Sequence, residues 1–524
     1  MLVTSRESLR ITAEREYALR PLPQSPAVEL FRQRAAAVEP DLEIEERTAS
    51  AICTKLDRLP LAIELAAARV KVLTPEALLE RLDQRLPLLV SRARDVPERQ
   101  RTLHSTIAWS YELLSGEEQQ LFRRFAVFAG GATLESLADI AEADSELVES
   151  IVDKSLLRRR GARFVMLETI REFALELFEA SDDAEAIRRR HARFFLATAE
   201  NTNLNAAKLD VRKEMRHDIA LAEQDNIRAA LEWSLASGAV ALGLELAAWI
   251  EWFWIMHDAR EGMRWFEALF EHPEADTVPP RVRADALRAY GSSTDIAGQD
   301  QVAERLYRES LGLFEQLGDE HGRAVLLHRL GIQAMRRGEL QRARELVEAS
   351  HEIHERREDR WGQCQTVGTL GAIARDAADD ATASALIGQS REIAREVGVP
   401  WWESGMLAEL ACLSLYGGRF EDAEVQARES LALAEQLHDR PGRVFGVGLL
   451  AGVAAERGDL QRAGRLWGAI EEEDAVAPLG GWRRHRASIE ARLRAPADDR
   501  FERARDAGRD LSLDEAVEYA LAES

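Results

Sequence analysis

The sequence predicts a mainly α-helical protein: a helical front part, a short β-hairpin, and a solenoid of helix pairs filling the second half. Three observations predict it. Small residues recur at a fixed 40-residue interval between positions 298 and 463. Apolar residues elsewhere fall at helical spacing. Strand-like patterning is confined to residues 2–5 and to one hairpin near position 160.

The front part is taken in chain order. Leu2-Val3-Thr4-Ser5 reads as a short strand ending at Arg6. Residues 26–37 and 45–57 read as helices, the second leading into Leu59-Pro60-Leu61-Ala62-Ile63-Glu64-Leu65. Pro60 fits the first turn of a helix, where its missing N–H costs nothing. Thr74-Pro75-Glu76-Ala77 is a helix start: Thr caps, Pro takes the first position, and Glu favours the positive end of the dipole. Residues 103–114, 117–128, 134–141 and 146–154 read as four helical stretches, interrupted by Gly130-Gly131. Leu156-Leu157-Arg158 and Arg163-Phe164-Val165-Met166 then flank a basic turn at 159–162, and a last helix covers 168–179. Helices closed by a hairpin describe a winged helix-turn-helix.

The repeat carries the second half. Ala303, Ala343, Ala383, Ala423 and Ala463 stand 40 residues apart. Five residues before them stand Gly298, Gly338, Ala378, Gly418 and Gly458; seven after them stand Ser310, Ser350, Ser390 and Ser430, with Ile470 breaking the series. Leu330, Leu370, Leu410 and Leu450 keep the period and are followed by Gly331, Gly371, Ala411 and Ala451. Each unit reads as a helix pair: 322–335 is apolar at helical spacing, Gly338 breaks it, and 340–354 resumes it. A lone pair cannot bury its apolar face, so the units must stack into a curved or right-handed solenoid. Gly331 and Ala343 are expected where two backbones approach. Trp401-Trp402 falls where other copies carry glycine, as a packing variant or a ligand-facing feature.

Composition narrows the function. The 524 residues carry 69 basic and 92 acidic groups, for a net charge of −23. Such a chain does not coat nucleic acid or anionic membrane non-specifically. Residues 1–200 hold 29 basic and 34 acidic groups against 40 and 58 in the remainder, so the acidity belongs to the repeat half. Cys53, Cys364 and Cys412 form neither a disulfide framework nor a metal-ligand spacing, and a cytoplasmic location is expected. The first 20 residues are too charged for a signal peptide. The most apolar stretch, 239–256, contains Glu245 and Glu251 and reads as one buried helix, not a membrane span.

Three motifs carry a family resemblance. Leu2-Val3-Thr4-Ser5-Arg6-Glu7, Leu59 to Arg69, and Phe164 to Glu172 resemble the NB-ARC type of signal-transduction (STAND) ATPases. More closely they resemble the bacterial "predicted ATPase" regulators with tetratricopeptide tails, AfsR-like and LuxR-like. The repeats at about 240–475 are similar to a long, 40-residue version of the tetratricopeptide repeat. The resemblance implies a helical lid subdomain, a winged helix-turn-helix and a tetratricopeptide-like solenoid. It implies nucleotide contacts from Thr4, Ser5, Arg6 and Pro60, with Arg6 reading the terminal phosphate. Arg58 replaces the glycine of the family's GLPL motif, and Leu167 stands where its MHD histidine would. No GxxxxGK[ST] loop is present, and the chain reads as starting inside the sensor strand, N-terminally truncated. Without that backbone cradle and lysine nothing holds the β- and γ-phosphates. The expectation is therefore no ATPase activity, no enzyme, and ADP or ATP only where a separate module supplies the loop.

Other motifs carry little. Gly446-Val447-Gly448-Leu449-Leu450-Ala451 fits GxGxxA, but it lies inside a repeat helix and follows no strand. His351-Glu352-Ile353-His354 resembles half a zinc motif and reads as a solvated helix face. Trp249, Trp252, Trp254 and Trp265 read as a packed cap on the repeats, and Arg188-Arg189-Arg190 as interdomain or solvated surface. The expected organisation is a nucleotide-module remnant at 1–95, a winged helix at 96–200, a helical linker at 201–240, the array at 241–475 and a helical tail at 476–524. The expected function is a signal-responsive regulatory scaffold whose array binds a protein, a peptide or a small inducer. The alternative is a DNA-binding regulator using Arg158, Arg159 and Arg160, or a residual nucleotide binder; no membrane partner or metal is expected.

Overall fold

The computed structural model describes residues 21–82 without 41 and 43, 103–205, 208, 210, 213, and 215–522 without 478, 480 and 481. Thr4, Ser5 and Arg6 lie outside the described residues. The chain divides into two units. The first runs to Phe195 and takes in Glu223–Ala230; the second holds Leu196–Ala222 and everything after Ala230.

The first unit opens with α1 (Gln24–Ala36), α2 (Glu46–Lys55), α3 (Pro60–Ala67) and α4 (Pro75–Arg81). Phe31, Ala35, Ile52, Leu56, Ile63 and Leu78 are sealed between them. Pro60 and Pro75 take first-turn positions, and the Thr74 hydroxyl accepts from the Ala77 N–H at 3.2 Å, as the residue types require. Next come α5 (Leu103–Glu112), α6 (Gly116–Phe125), α7 (Leu134–Ser136, continued by a π-turn to Ala141) and α8 (Ser145–Asp153). The antiparallel strands β1 (Arg158–Arg160) and β2 (Arg163–Val165) follow, then α9 (Glu168–Glu179) and α10 (Ala184–Asn201). The Asp57 carboxylate, in the turn between α2 and α3, accepts from the Thr169 N–H and hydroxyl at 2.9 and 3.0 Å, tying that turn to the start of α9.

The hairpin differs from expectation by about a residue. Arg159 and Arg160 lie in β1, and the turn is reduced to Gly161-Ala162, because Gly161 alone adopts positive φ there. The Gly130-Gly131 break has a structural use. Asn226, on α11 (His217–Ala236), accepts from the Ala129 N–H at 2.9 Å and donates to the Gly131 carbonyl at 3.0 Å. Arg163 donates to the carbonyls of Gly130 and Gly131 and pairs with Glu223. This is why 223–230 belong with the first unit.

The second unit begins with α12 (Val240–Trp249), α13 (Glu251–His257) and α14 (Ala259–Glu271). The apolar stretch 239–256 is thus two helices, not one. Ile250 leaves the helical region between them, which turns Glu251 inward to a buried partner described below. Five helix pairs follow: α15 (Pro280–Ile296) with α16 (Asp300–Gln316), α17 (Glu320–Arg336) with α18 (Leu340–Arg356), α19 (Arg360–Asp376) with α20 (Asp380–Val397), α21 (Pro400–Tyr416) with α22 (Phe420–Gln436), and α23 (Arg440–Glu456) with α24 (Leu460–Ile470). This is an α-solenoid.

Helix starts fall every 20 residues from 280 to 460. The turns repeat with them: Gly298, Gly318, Gly338, Glu358, Ala378, Gly398, Gly418, His438 and Gly458 all adopt positive φ. The 40-residue glycine series is therefore half of a 20-residue series whose other half tolerates Glu and His. Most helices are 17 residues long, so the extra length over a 34-residue unit lies in the helices.

The other small residues also have physical roles. A Cβ on Gly331 would lie 2.5 Å from Val347 Cγ2 and 3.3 Å from the Ala343 carbonyl oxygen, so the backbones meet where the repeat predicts. Each serine of the series donates to the carbonyl 26 residues earlier on the paired helix: Ser310 to Ala284, Ser350 to Ala324 and Ser390 to Cys364 at 2.7 Å, and Ser430 to Ser404 at 2.8 Å.

The chain ends with α25 (Glu473–Val476), α26 (Trp482–Arg494), α27 (Asp499–Gly508) and α28 (Leu513–Leu521). Trp482 fills a niche over Gly448, where a Cβ would lie 2.1 Å from its ring. The GxGxxA motif is thus a packing seat within α23. Helices α24 and α27 cross backbone to backbone, because a Cβ on Gly468 would sit 2.1 Å from the Arg505 carbonyl oxygen. Among the described residues no helix is long and apolar enough to cross a membrane.

Gly468→Ala is expected to destabilise the protein by about 1–3 kcal/mol through overpacking. Gly388→Ala, on α20 with nothing within 4 Å of the new methyl, should instead stabilise by about 0.5–1 kcal/mol. Urea denaturation of both variants checks the pair; equal effects would contradict the packing described.

Candidate functional site

The first helices of the pairs, α15, α17, α19, α21 and α23, are buried on most sides, whereas α16, α18 and α20 bury one stripe. Polar side chains line one face of these inner helices. Arg329, Thr369 and Glu409 share one register position; Arg336, Asp376 and Tyr416 share another, seven residues on and so on the same side of the helix.

Three linked clusters result. In the first, Glu251 and Arg288 form an ion pair with both side chains fully buried. Arg288 also donates to Asn205 Oδ1 at 3.1 Å, and Asn205 Nδ2 donates to the Ala248 carbonyl at 2.8 Å. Burial pushes the Glu251 carboxyl up, but the Arg288 and Arg329 guanidiniums outweigh it and the group ends below the ordinary carboxylate range. In the second, Asp295 accepts from Gln333 and Arg336, and Arg336 lies 3.6 Å from Asp300. Here burial wins, and Asp295 is held above its usual range despite Arg336 and Arg329. In the third, Glu409 pairs with Arg375 and lies 3.3 Å from His485 Nε2, while His485 Nδ1 is 3.2 Å from the Tyr416 hydroxyl. Burial raises Glu409, and His485 and Arg375 more than reverse that.

Between the first two clusters, polar atoms are left over. Among the described residues, Arg288 Nε, Arg329 Nε and Gln333 Oε1 are buried without a hydrogen-bond partner. Buried donors and acceptors are normally satisfied, so a patch of them marks a place for polar groups from elsewhere. Helix α26 covers the far end of the same surface through Trp482 and His485, and Arg483 reaches the Ala297 carbonyl at 3.5 Å.

The residues singled out from sequence are placed as follows. Pro60 is exposed at the start of α3. Arg159 and Arg160 are exposed on β1, Arg158 is half-buried, and Arg159 donates to the Gly161 carbonyl at 3.0 Å. Arg188, Arg189 and Arg190 pair with Glu179, Glu185 and Glu142 inside the first unit. Trp402 Nε1 donates to Ser390 Oγ at 2.9 Å and Trp401 stacks 4.0 Å from Trp252, so the Trp401-Trp402 pair is packing. The His351–His354 segment is not a solvated face. His354 is buried and hydrogen-bonded to Asp359, and His351 Nδ1 is 2.7 Å from the Thr366 hydroxyl, because the end of α18 packs against α19. Sequence reading missed Arg288, Arg329, Gln333 and Glu409. Their signal was polar residues at fixed register positions of otherwise apolar helices.

No family model matches the chain. It is 31% identical over 481 residues to a Mycobacterium tuberculosis protein named "Putative HTH-type transcriptional regulator", covering 87% of this chain and 53% of that protein. The chain thus spans about half the length of these relatives, a Mycobacterium bovis counterpart included. An uncharacterized Mycobacterium tuberculosis protein is 39% identical over 150 residues, 28% of this chain and 38% of that one. Among solved structures, a STAND protein with a tetratricopeptide repeat sensor from Pyrococcus horikoshii aligns at TM-score 0.46 and 16% identity, covering 91% of this chain and 63% of that one. A Rap protein complexed with competence and sporulation factor aligns at TM-score 0.38 and 13% identity, over 75% of this chain and all of that one.

Arg288→Met is expected to cost about 3–5 kcal/mol, because it leaves Glu251 buried and uncompensated. Adding Glu251→Leu should recover most of that loss. Denaturant midpoints of the single and double variants decide it; a single variant as stable as the parent would mean the pair is not buried as described.

Proposed function

We propose that this chain is the sensing portion of a signal-responsive regulator, binding a peptide or protein segment on the polar inner face of its helix pairs. The observation that carries the reading is the partnerless buried set on α15 and α17: Arg288 Nε, Arg329 Nε and Gln333 Oε1, beside Asp295 and Arg336. A guanidinium suits a carboxylate, and an amide oxygen suits a backbone N–H, which together are the groups a peptide offers. Similarity to a relative named as a transcriptional regulator, over 87% of this chain, supports the regulatory part. Ligand occupancy would shift the balance between arrangements of the chain, in proportion to its differential affinity for them. In this reading the chain turns over no ATP, and any ADP- or ATP-dependent step belongs to a phosphate-binding loop supplied elsewhere.

A second reading has its own observation. Helices α6 to α8 followed by the β1–β2 hairpin fit a winged helix, and Arg159 and Arg160 stand exposed on it. As a DNA contact this pair would act through phosphates and be sensitive to salt.

Titrating short peptides with free carboxylates into the full chain by fluorescence polarisation should yield saturable binding, weakened tenfold or more by Arg329→Ala. Absence of any peptide binder, or an indifferent variant, overturns the first reading; phosphate release from ATP above the buffer rate overturns its ATP-free part. For the second reading, a gel shift that weakens with salt and disappears in Arg159→Ala/Arg160→Ala is expected. Flat binding curves remove it.

A further inference from the structure

One side-chain cluster of the array takes no part in the inner polar face. His321 is the second residue of α17, His354 lies in the last turn of α18, and Asp359 caps the start of α19. His354 Nδ1 is 2.8 Å and His321 Nδ1 is 3.5 Å from Asp359 Oδ2, and the three donor atoms all lie within 4.8 Å of one another. The imidazole rings meet edge to face, with centroids 5.8 Å apart. Two ligands about 2.0–2.1 Å from a tetrahedral ion stand about 3.3 Å apart, so the three atoms already have nearly that spacing.

We infer that His321, His354 and Asp359 form a binding site for a divalent transition-metal ion of the zinc type, stapling two successive layers of the array. Two imidazole nitrogens and one carboxylate oxygen are a borderline donor set, suited to Zn²⁺ or Co²⁺ and poorly suited to Mg²⁺ or Ca²⁺. Three protein ligands leave a fourth position for water, and His321 and Asp359, both half-buried, leave the approach open. The site is held from behind. The Gly362 N–H donates to the other carboxylate oxygen of Asp359 at 3.0 Å, which fixes its orientation. A Cβ on Gly362 would lie 2.0 Å from His354 Nδ1, so only glycine leaves room for that ring.

Comparison with the neighbouring layers shows what the ion would replace. One period earlier the same three positions hold Arg281, Phe314 and Asp319. There the Arg281 guanidinium pairs with Asp319 and lies 5.4 Å over the Phe314 ring. One period later they hold Trp361, Ala394 and Val399, with no charge at all. The middle layer therefore keeps the anion of the first but presents two imidazoles where a fixed cation stood. A bound divalent ion restores that positive charge. This inference is independent of the peptide reading, because none of the three residues belongs to the inner polar face.

The test uses the full chain, stripped with a chelator and dialysed. Calorimetry with Zn²⁺ should show a saturable first equivalent, Co²⁺ should develop visible absorption at the same stoichiometry, and Zn²⁺ should raise the melting temperature. His321→Gln removes a ligand at a half-buried position and should weaken Zn²⁺ binding tenfold or more while the metal-free melting temperature stays put. Asp359→Asn keeps a competent helix cap and should weaken binding likewise. Absence of a saturable first equivalent overturns the inference. So does wild-type affinity in both variants, which would place the metal elsewhere.

Discussion

How near two paired helices can come governs the rest of the array. At Gly331 and Gly371 the approach is limited by backbone and β-carbon, and at Ala411 and Ala451 by a methyl group. Close approach brings the hydroxyls of Ser310, Ser350, Ser390 and Ser430 within reach of a carbonyl on the partner helix. Those bonds satisfy serines that are otherwise fully buried. Larger side chains at the small positions would separate the helices and strand the hydroxyls. Packing and hydrogen bonding thus depend on the same residues, which explains why both series keep one register.

The inner helices, buried on most sides, carry charges that isolated burial would not tolerate. Glu251 and Arg288 are fully enclosed, and Asp295 is nearly so. A buried pair is seldom worth more than a well-packed apolar pair of the same volume, so stability alone does not account for their presence. Glu251 is held ionised by two guanidiniums, whereas Asp295 is shifted the other way by its surroundings. Opposite shifts within one connected region describe a surface with graded polarity. Partnerless atoms of Arg329 and Gln333 lie in the middle of it.

The architecture was largely legible in the sequence, because repetition amplifies a weak signal. One Gly338 is a guess at a turn; five equivalent positions are a pattern. What stayed hidden was the second turn series, since Glu358 and His438 adopt the glycine conformation without being glycine. The split of 239–256 was hidden too, because an apolar run gives no sign of a break at an isoleucine. The hairpin was found but set about a residue off, its basic residues drawing the turn toward them when Gly161 decided it. The candidate sites were least legible. His354 looked surface-bound on its own helix, and only the packing of α19 against it revealed Asp359 as its partner. The inner polar face required knowing that Arg329 and Glu409 point the same way.

Helix stacks are usually treated as one-dimensional, each layer answering only to its nearest neighbours. Here Trp252, before the pairs begin, stacks on Trp401 in the fourth pair, and Arg483 in the tail reaches back to the end of α15. A coil whose late turns lean on its beginning has fewer free ends from which to fray. Such a stack melts more as a closed loop than as a string of beads, and a disturbance at one layer is shared by distant ones.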